Sequence, residues 1–204
     1  MINRSENVIL VDCDGVAADF VGALVGEINR RTGSRFSPKD VTGWEVAEAL
    51  GVDQSLVSSI IEQRGFISGI APTKGAAEGI DALRMLGEVY IVTTPWWTSP
   101  TFVYERTWWL KKHFGIEPER IVFTEAKHLV TGMTLVDDKP ENVLGWTAKQ
   151  GKGAYLWDAP WNRDAAIEGS LRVKSWTQIA QDIERRLNVH ASLSLAAMRR
   201  WQAS

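Results

Sequence analysis

The sequence predicts an α/β fold: a Rossmann-like parallel sheet of about five strands with helices on both faces, and a small helical cap inserted after the first strand. Three observations carry this. Short β-branched runs alternate with stretches of helical periodicity. The runs are almost wholly apolar and end in polar residues, as strands buried on both faces do. The chain between the first two runs is far longer than one crossover helix needs. At 204 residues, with 45% hydrophobic and 24% charged side chains, the composition is globular and the length suits one domain with an insertion.

The expected strands are Val8–Val11, Val89–Val92, Ile121–Phe123, Thr134–Val136 and Ala154–Leu156. After the first, Phe20, Val21, Leu24, Val25 and Ile28 recur at helical spacing, then Leu56, Val57, Ile60 and Ile61, then Ile80, Leu83 and Leu86. Ser37 followed by Pro38 reads as a helix start, and Ser175 with Gln178 as a capping box for a helix to about Leu187. The division expected is a core of 1–19 and 73–188, a cap of 20–72, and a C-terminal helix or tail of 189–204. In that tail Val189, Leu193, Ala197 and Trp201 recur every four residues, a face suited to docking or to a homodimer contact, while Arg185, Arg186, Arg199 and Arg200 leave a functional basic tail as the alternative.

Charge and cysteine content exclude several classes. Lys and Arg total 23 against 25 for Asp and Glu, a net charge of -2, so no field draws the chain to nucleic acid or anionic lipid. One cysteine, Cys13, permits no internal disulfide and suits a reducing compartment. No run of about 18 apolar residues is present, so neither a signal peptide nor a membrane span is readable, and a cytoplasmic protein is expected.

The chemistry sits where strands end. Val11-Asp12-Cys13-Asp14-Gly15 runs an apolar strand into two carboxylates spaced by two, with Cys13 turned the other way into the packing. Two such charges close together repel by roughly 4 kcal/mol at an effective dielectric near 20, so either a cation sits between them or one is protonated. A second acidic pair, Asp137-Asp138, ends another strand ahead of Pro140. Either pair alone could simply cap a helix. Together they suit an oxygen-rich cage for a hard cation such as Mg2+. Thr93-Thr94-Pro95 ends the second strand with hydroxyls, and Lys127 follows the third with an ammonium. Hydroxyl, ammonium and metal together meet the charge on a phosphoryl group in transfer.

The ordered set Asp12-x-Asp14, Thr93, Lys127, Asp137-Asp138 resembles the haloacid dehalogenase superfamily of phosphohydrolases, over nearly the whole chain. Within it the chain looks most like the 5'(3')-deoxyribonucleotidases, through residues 12–20 and 43–51, Thr93-Thr94-Pro95, and the stretch from Tyr104-Glu105-Arg106 to Gly115. The resemblance implies a magnesium-dependent phosphomonoesterase acting on a small phosphate monoester, a deoxynucleotide. Asp12 would be the nucleophile that forms an aspartyl-phosphate, Asp14 the acid and base, and Thr93 and Lys127 the phosphoryl holders. Asp12, the Asp14 carbonyl and Asp138 would hold the metal, with Asp137 behind them. Phe20, Trp44 and Val46 would line the nucleoside pocket, and Thr94 and Arg106 would help bind phosphate. Arg106 shares a helical face with Phe102, Val103, Trp109 and Leu110, where a buried cation asks for an anion.

The sequence departs from mammalian members at Glu45, which replaces an aromatic, and at Glu125, which replaces an arginine. The stretch Trp157-Asp158-Ala159-Pro160-Trp161-Asn162 resembles bacterial and phage relatives, with no role that the residues alone supply. The alternatives are a phosphatase of another small ester or of polynucleotide ends, the latter needing a basic groove, and a receiver-like phospho-accepting module. The receiver carries its acidic pair on the first strand, the reverse of the order here.

Overall fold

Along the first strand, β1 (Val8–Val11), Ile9 and Val11 enter one hydrophobic core and Leu10 the other, the alternation of a strand buried on both faces. The structure, a computed structural model, describes residues 7–151 and 153–188. The other strands are β2 (Glu88–Thr93), β3 (Ile121–Phe123), β4 (Thr134–Asp137), β5 (Ala154–Trp157) and β6 (Ser170–Val173). They form one parallel sheet in the order β3-β2-β1-β4-β5-β6.

Six strands stand where about five were expected. Ser170-Leu171-Arg172-Val173 escaped because it is an edge strand, bonded on one side only, with Leu171 exposed and Arg172 polar. Period and apolarity both fail there.

The helices are α1 (Phe20–Thr32), α2 (Val46–Leu50), α3 (Gln54–Ile61), α4 (Phe66–Gly69), α5 (Ala76–Leu86), α6 (Phe102–Phe114), α7 (Pro140–Gln150) and α8 (176–188). Ile80 and Leu83 of α5, Trp109 and Leu110 of α6, and Ile179 and Ile183 of α8 pack with Ile9 and Val11. Val143 and Trp146 of α7 pack with Leu10, Val92 and Leu135 on the opposite face. Tyr155 of β5 donates to Asp182 of α8 at 2.8 Å, and that carboxylate also meets Arg186 at 2.7 Å, which locks α8 to the sheet.

Two capping expectations change in detail. Ser37 caps only a single 3₁₀ turn, Pro38–Asp40, because Asp40 closes its box by accepting from the Ser37 N–H at 2.7 Å and the chain then turns away. Ser175 accepts from the Gln178 N–H at 3.3 Å, but the Gln178 side-chain Oε1 takes the Lys174 N–H at 2.7 Å instead of completing a reciprocal pair. Residues 189–204, expected as a docking helix or tail, lie outside the described residues. Among those described, no helix is long and apolar enough to cross a membrane.

Helices α1 to α4 leave and rejoin the sheet through two chain segments bonded side by side. Asp19 N donates to Ala71 O at 2.9 Å, Thr73 N to Ala17 O at 2.9 Å, and the Thr73 hydroxyl to Val16 O at 2.6 Å. On the return side α6 takes hold. Glu105 accepts from the Gly65 and Ser68 N–H groups at 2.8 and 3.1 Å, and the Trp109 indole donates to Ile70 O at 2.6 Å. The first four N–H groups of a helix lack internal partners, so a buried carboxylate at the start of α4 answers a need built into that turn.

Candidate active site

Strand register sets the site. Val11 lies beside Val136 and Ile91, so the chain beyond β1 emerges next to Asp137 on one side and Thr93 on the other. The carboxyl ends of parallel strands are where open α/β sheets bind ligands. Asp12 N donates to Val136 O at 2.8 Å, carrying the pairing one residue past the strand. Ala17 and Ala18 N–H groups then fold back on Cys13 O at 2.8 and 2.7 Å, so Asp14 reaches the site from a turn and not from the strand itself.

Gly15 makes that turn possible. Its φ is +78°, a region that L side chains rarely adopt, and a Cβ there would stand 2.0 Å from Asp138 Oδ2. Conformation and crowding both require glycine.

Lys127, buried to 2% exposure, sits between two carboxylates. Its Nζ is 2.6 Å from Asp12 Oδ1 and 2.8 Å from Asp137 Oδ2. Burial opposes its charge, but the two carboxylates outweigh burial and hold the ammonium protonated well above its ordinary range. Asp12 responds in the opposite sense. Burial and the Asp137 charge push its carboxyl up to about 7, against the pull of Lys127. Asp138 is driven upward by burial, then by Asp12 and Asp137.

Asp137 is saturated by the protein. Oδ1 accepts from Lys139 N and Asn142 Nδ2 at 2.9 and 3.1 Å, and Oδ2 from Lys127 and from Asn142 at 3.2 Å. Asp138 Oδ1 and the Thr93 hydroxyl, by contrast, are buried without any partner. Buried polar atoms are seldom left so, and these two mark places for a ligand.

Asp12, Asp137 and Asp138 each offer an oxygen within 4.8 Å of the others. Three crowded carboxylates, two of them with raised pKa values and one with an orphaned oxygen, fit a hard divalent cation. This cluster could hold a metal ion.

Above it opens a cavity of about 510 Å³. Asp12, Asp14, Thr93, Thr94, Lys127 and Asp138 form its polar floor. Phe20, Trp44 and Val46 from the α1–α4 segment line its wall, together with Phe102, Trp96 and Trp161. Lys139 Nζ lies 4.3 Å from the Trp44 ring centroid, a cation–π contact bridging that segment and the sheet. Glu62 binds it again, accepting from the Trp96 indole at 3.3 Å and the Thr98 hydroxyl at 2.5 Å. Of the two departures, Glu125 lines the cavity and takes the Trp97 indole at 3.0 Å, whereas Glu45 is exposed outside it.

Nine of the expected site residues thus share one cavity. Asp137 and Arg106 do not line it. Arg106 is fully buried, and its anion is Asp14, with Nη2 2.5 Å from Asp14 Oδ1. Val103, assigned to the same apolar face, is 42% exposed. Cys13 does turn away, with its Sγ 3.1 Å from Arg106 Nη1, and burial pushes its thiol far up. That leaves no reactive thiolate.

Several residues escaped the sequence reading. Asn142 stands one turn into α7, and only its spacing from Asp137 signals that it reaches back. Asn162 explains the unassigned Trp157–Asn162 stretch: its Nδ2 donates to Asp138 O and Trp157 O at 2.7 and 2.8 Å, while Arg172 of β6 holds its Oδ1 at 2.7 Å. The stretch ties the loop carrying Asp138 to the sheet edge.

The chain resembles known proteins over most of its length. The profile of the family described as 5' nucleotidase, deoxy (pyrimidine), cytosolic type C matches residues 6–190. The human cytosolic-type 5'(3')-deoxyribonucleotidase is 32% identical over 185 residues, covering 86% of this chain and 92% of the relative. The mouse mitochondrial 5'(3')-deoxyribonucleotidase is 34% identical over 146 residues, 65% of this chain and 64% of the relative. Among solved structures, a haloacid dehalogenase superfamily hydrolase from Geobacter sulfurreducens has the same fold, with a TM-score of 0.55 at 17% identity over 89% of this chain and 98% of that one. The chain belongs to the cytosolic type C deoxy-5'-nucleotidase family, phosphoric monoester hydrolases, and has the fold of haloacid dehalogenase-like hydrolases.

Proposed function

We propose that the protein hydrolyses deoxyribonucleoside monophosphates through a phosphoryl group carried on Asp12. One observation carries the reading: a buried lysine, an unpartnered threonine hydroxyl and an unpartnered Asp138 oxygen converge on Asp12 at the floor of a cavity of about 510 Å³. Pockets of roughly 300–1,000 Å³ suit ligands of nucleotide size. The α1–α4 segment, residues 20–72, acts as the cap, and its Phe20, Trp44 and Val46 offer apolar surface to a base and sugar.

Asp12, Asp138 and the backbone carbonyl of Asp14 would hold magnesium, with Asp137 fixed behind them by Lys127, Lys139 and Asn142. Bound there, the ion supplies positive charge that offsets the carboxylates and the phosphoryl oxygens. Lys127 and Thr93 hold the phosphoryl oxygens, and Thr94 adds a hydroxyl at the rim. Asp12 Oδ1 is held by Lys127 and by the Cys13 N–H at 2.7 Å, which leaves Oδ2 as the attacking atom. As the Asp12–phosphorus bond forms and the ester bond breaks, Asp14 gives its proton to the departing sugar oxygen. The Asp14 carboxylate then takes a proton from water as that water attacks phosphorus, and Asp12 and inorganic phosphate are released.

Release of inorganic phosphate from deoxynucleotides, ribonucleotides and sugar phosphates, with and without magnesium, tests this. Selective, magnesium-dependent turnover of deoxynucleoside monophosphates is expected. Preference for sugar phosphates would contradict the substrate class.

A further inference from the structure

We infer that Arg106 is a positioning residue for the proton-transfer step: it clamps one oxygen of Asp14 so that the other serves the leaving group. The inference rests on the phosphomonoesterase reading above. It gives Arg106 a different role from direct phosphate contact.

Four observations carry it. Arg106 is fully buried and absent from the cavity lining, so a phosphate on the cavity floor meets other side chains first. Its Nη2 reaches Asp14 Oδ1 at 2.5 Å, while Nη1 reaches Cys13 Sγ at 3.1 Å, so one guanidinium spans two consecutive residues of the loop. Its carbon centre lies 5.4 Å from the ring centroids of both Phe102 and Trp109, on the preceding and following turns of α6. Finally, α6 is itself fixed: Glu105 and Trp109 bind the end of the cap segment at Gly65, Ser68 and Ile70.

A buried planar cation held against two rings has little freedom to move, and its two terminal nitrogens, one on Asp14 Oδ1 and one on Cys13 Sγ, fix the direction from which that carboxylate oxygen is held. Asp14 is 26% exposed at its side chain and lines the cavity. With Oδ1 taken by Arg106, Oδ2 has no hydrogen-bond partner among the described residues and is the oxygen left to face the ester. Proton transfer depends on such placement to within a fraction of an ångström.

The test compares leaving groups. Deoxynucleoside 5'-monophosphates lose an alkoxide that needs a proton, whereas 4-nitrophenyl phosphate loses a phenolate that does not. The quantity read is kcat/KM, which reports steps up to departure of the leaving group and not the later hydrolysis. Arg106→Met should lower kcat/KM about 100-fold for the deoxynucleotide and less than about threefold for the aryl ester. Inhibition by inorganic phosphate should be unchanged. Arg106→Lys keeps a buried cation and so the fold, and should recover about tenfold of the deoxynucleotide loss.

Equal losses on both substrates, or weaker phosphate inhibition, would overturn the inference and return Arg106 to a structural or phosphate-binding role. Should Arg106→Met not fold, Arg106→Lys alone decides, by a selective or an equal loss. Wild-type protein that cleaved neither ester would instead remove the phosphatase reading itself.

Discussion

Lys127 Nζ stands 2.6 Å from Asp12 Oδ1 inside the protein, an ammonium and a carboxylate both removed from water. Taking away one partner of a buried pair leaves an uncompensated charge, which costs about 3–5 kcal/mol. Here two carboxylates, Asp12 and Asp137, would be stranded. Lys127→Met should therefore lower the metal-free melting temperature by about 10 °C. Magnesium should restore part of that loss but not turnover, which should stay at least ~100-fold down. Thermal melts with and without magnesium, alongside phosphate release, check both halves.

Gly15→Ala is the second expected loss. The substitution meets a backbone at +78° and an Asp138 oxygen 2.0 Å from the new methyl carbon. Asp138 must move, and the turn carries strain of about 1 kcal/mol or more. A modest fall in melting temperature should accompany a large fall in apparent magnesium affinity, read by titrating the melt with magnesium. The same substitution at exposed Gly26 of α1, where nothing lies within 4 Å, should leave both unchanged or raise stability slightly.

Glu105 gives the pH dependence. Burial would raise its carboxyl, but hydrogen bonds from Gly65, Thr101 and Ser68 prevail and hold it below the ordinary value of 4.5. A depressed folded pKa adds stability that is fully present above the unfolded value and is lost as pH falls through the folded one. Glu105→Gln puts an amide donor against backbone N–H groups and should cost about 2 kcal/mol at pH 7. The gap between variant and wild type should shrink below about pH 4.5. Amide exchange at Gly65 or Ser68 should accelerate in the variant, since glutamine offers one acceptor oxygen where the carboxylate offered two.

Legibility in the sequence followed how much of the physics was local. Asp12, Thr93 and Asp138 stand at or just past the end of an apolar strand and Lys127 follows β3 after a short turn, so these proposed site residues could be read from where an apolar run stops. β6 was hidden because an edge strand need not be apolar. The target of Arg106 lay 92 residues away, and only tertiary packing decides between a substrate anion and Asp14. Glu105 and Asn162 were missed for the same reason, whereas Asn142 reaches a carboxylate only five residues back. Glu105 and Asn162 are polar side chains on a helix or turn whose partners are distant backbone groups.

The account turns on a phosphoryl group resting on Asp12. Asp14→Asn protein mixed with magnesium and 4-nitrophenyl phosphate, whose leaving group needs no proton from Asp14, then acid-quenched and digested, should yield the peptide containing Asp12 heavier by one phosphoryl group. The doubly substituted Asp12→Asn, Asp14→Asn protein should yield none. Phosphate released by wild-type protein with no trapped adduct, or an adduct that persists after Asp12 is replaced, would contradict the mechanism.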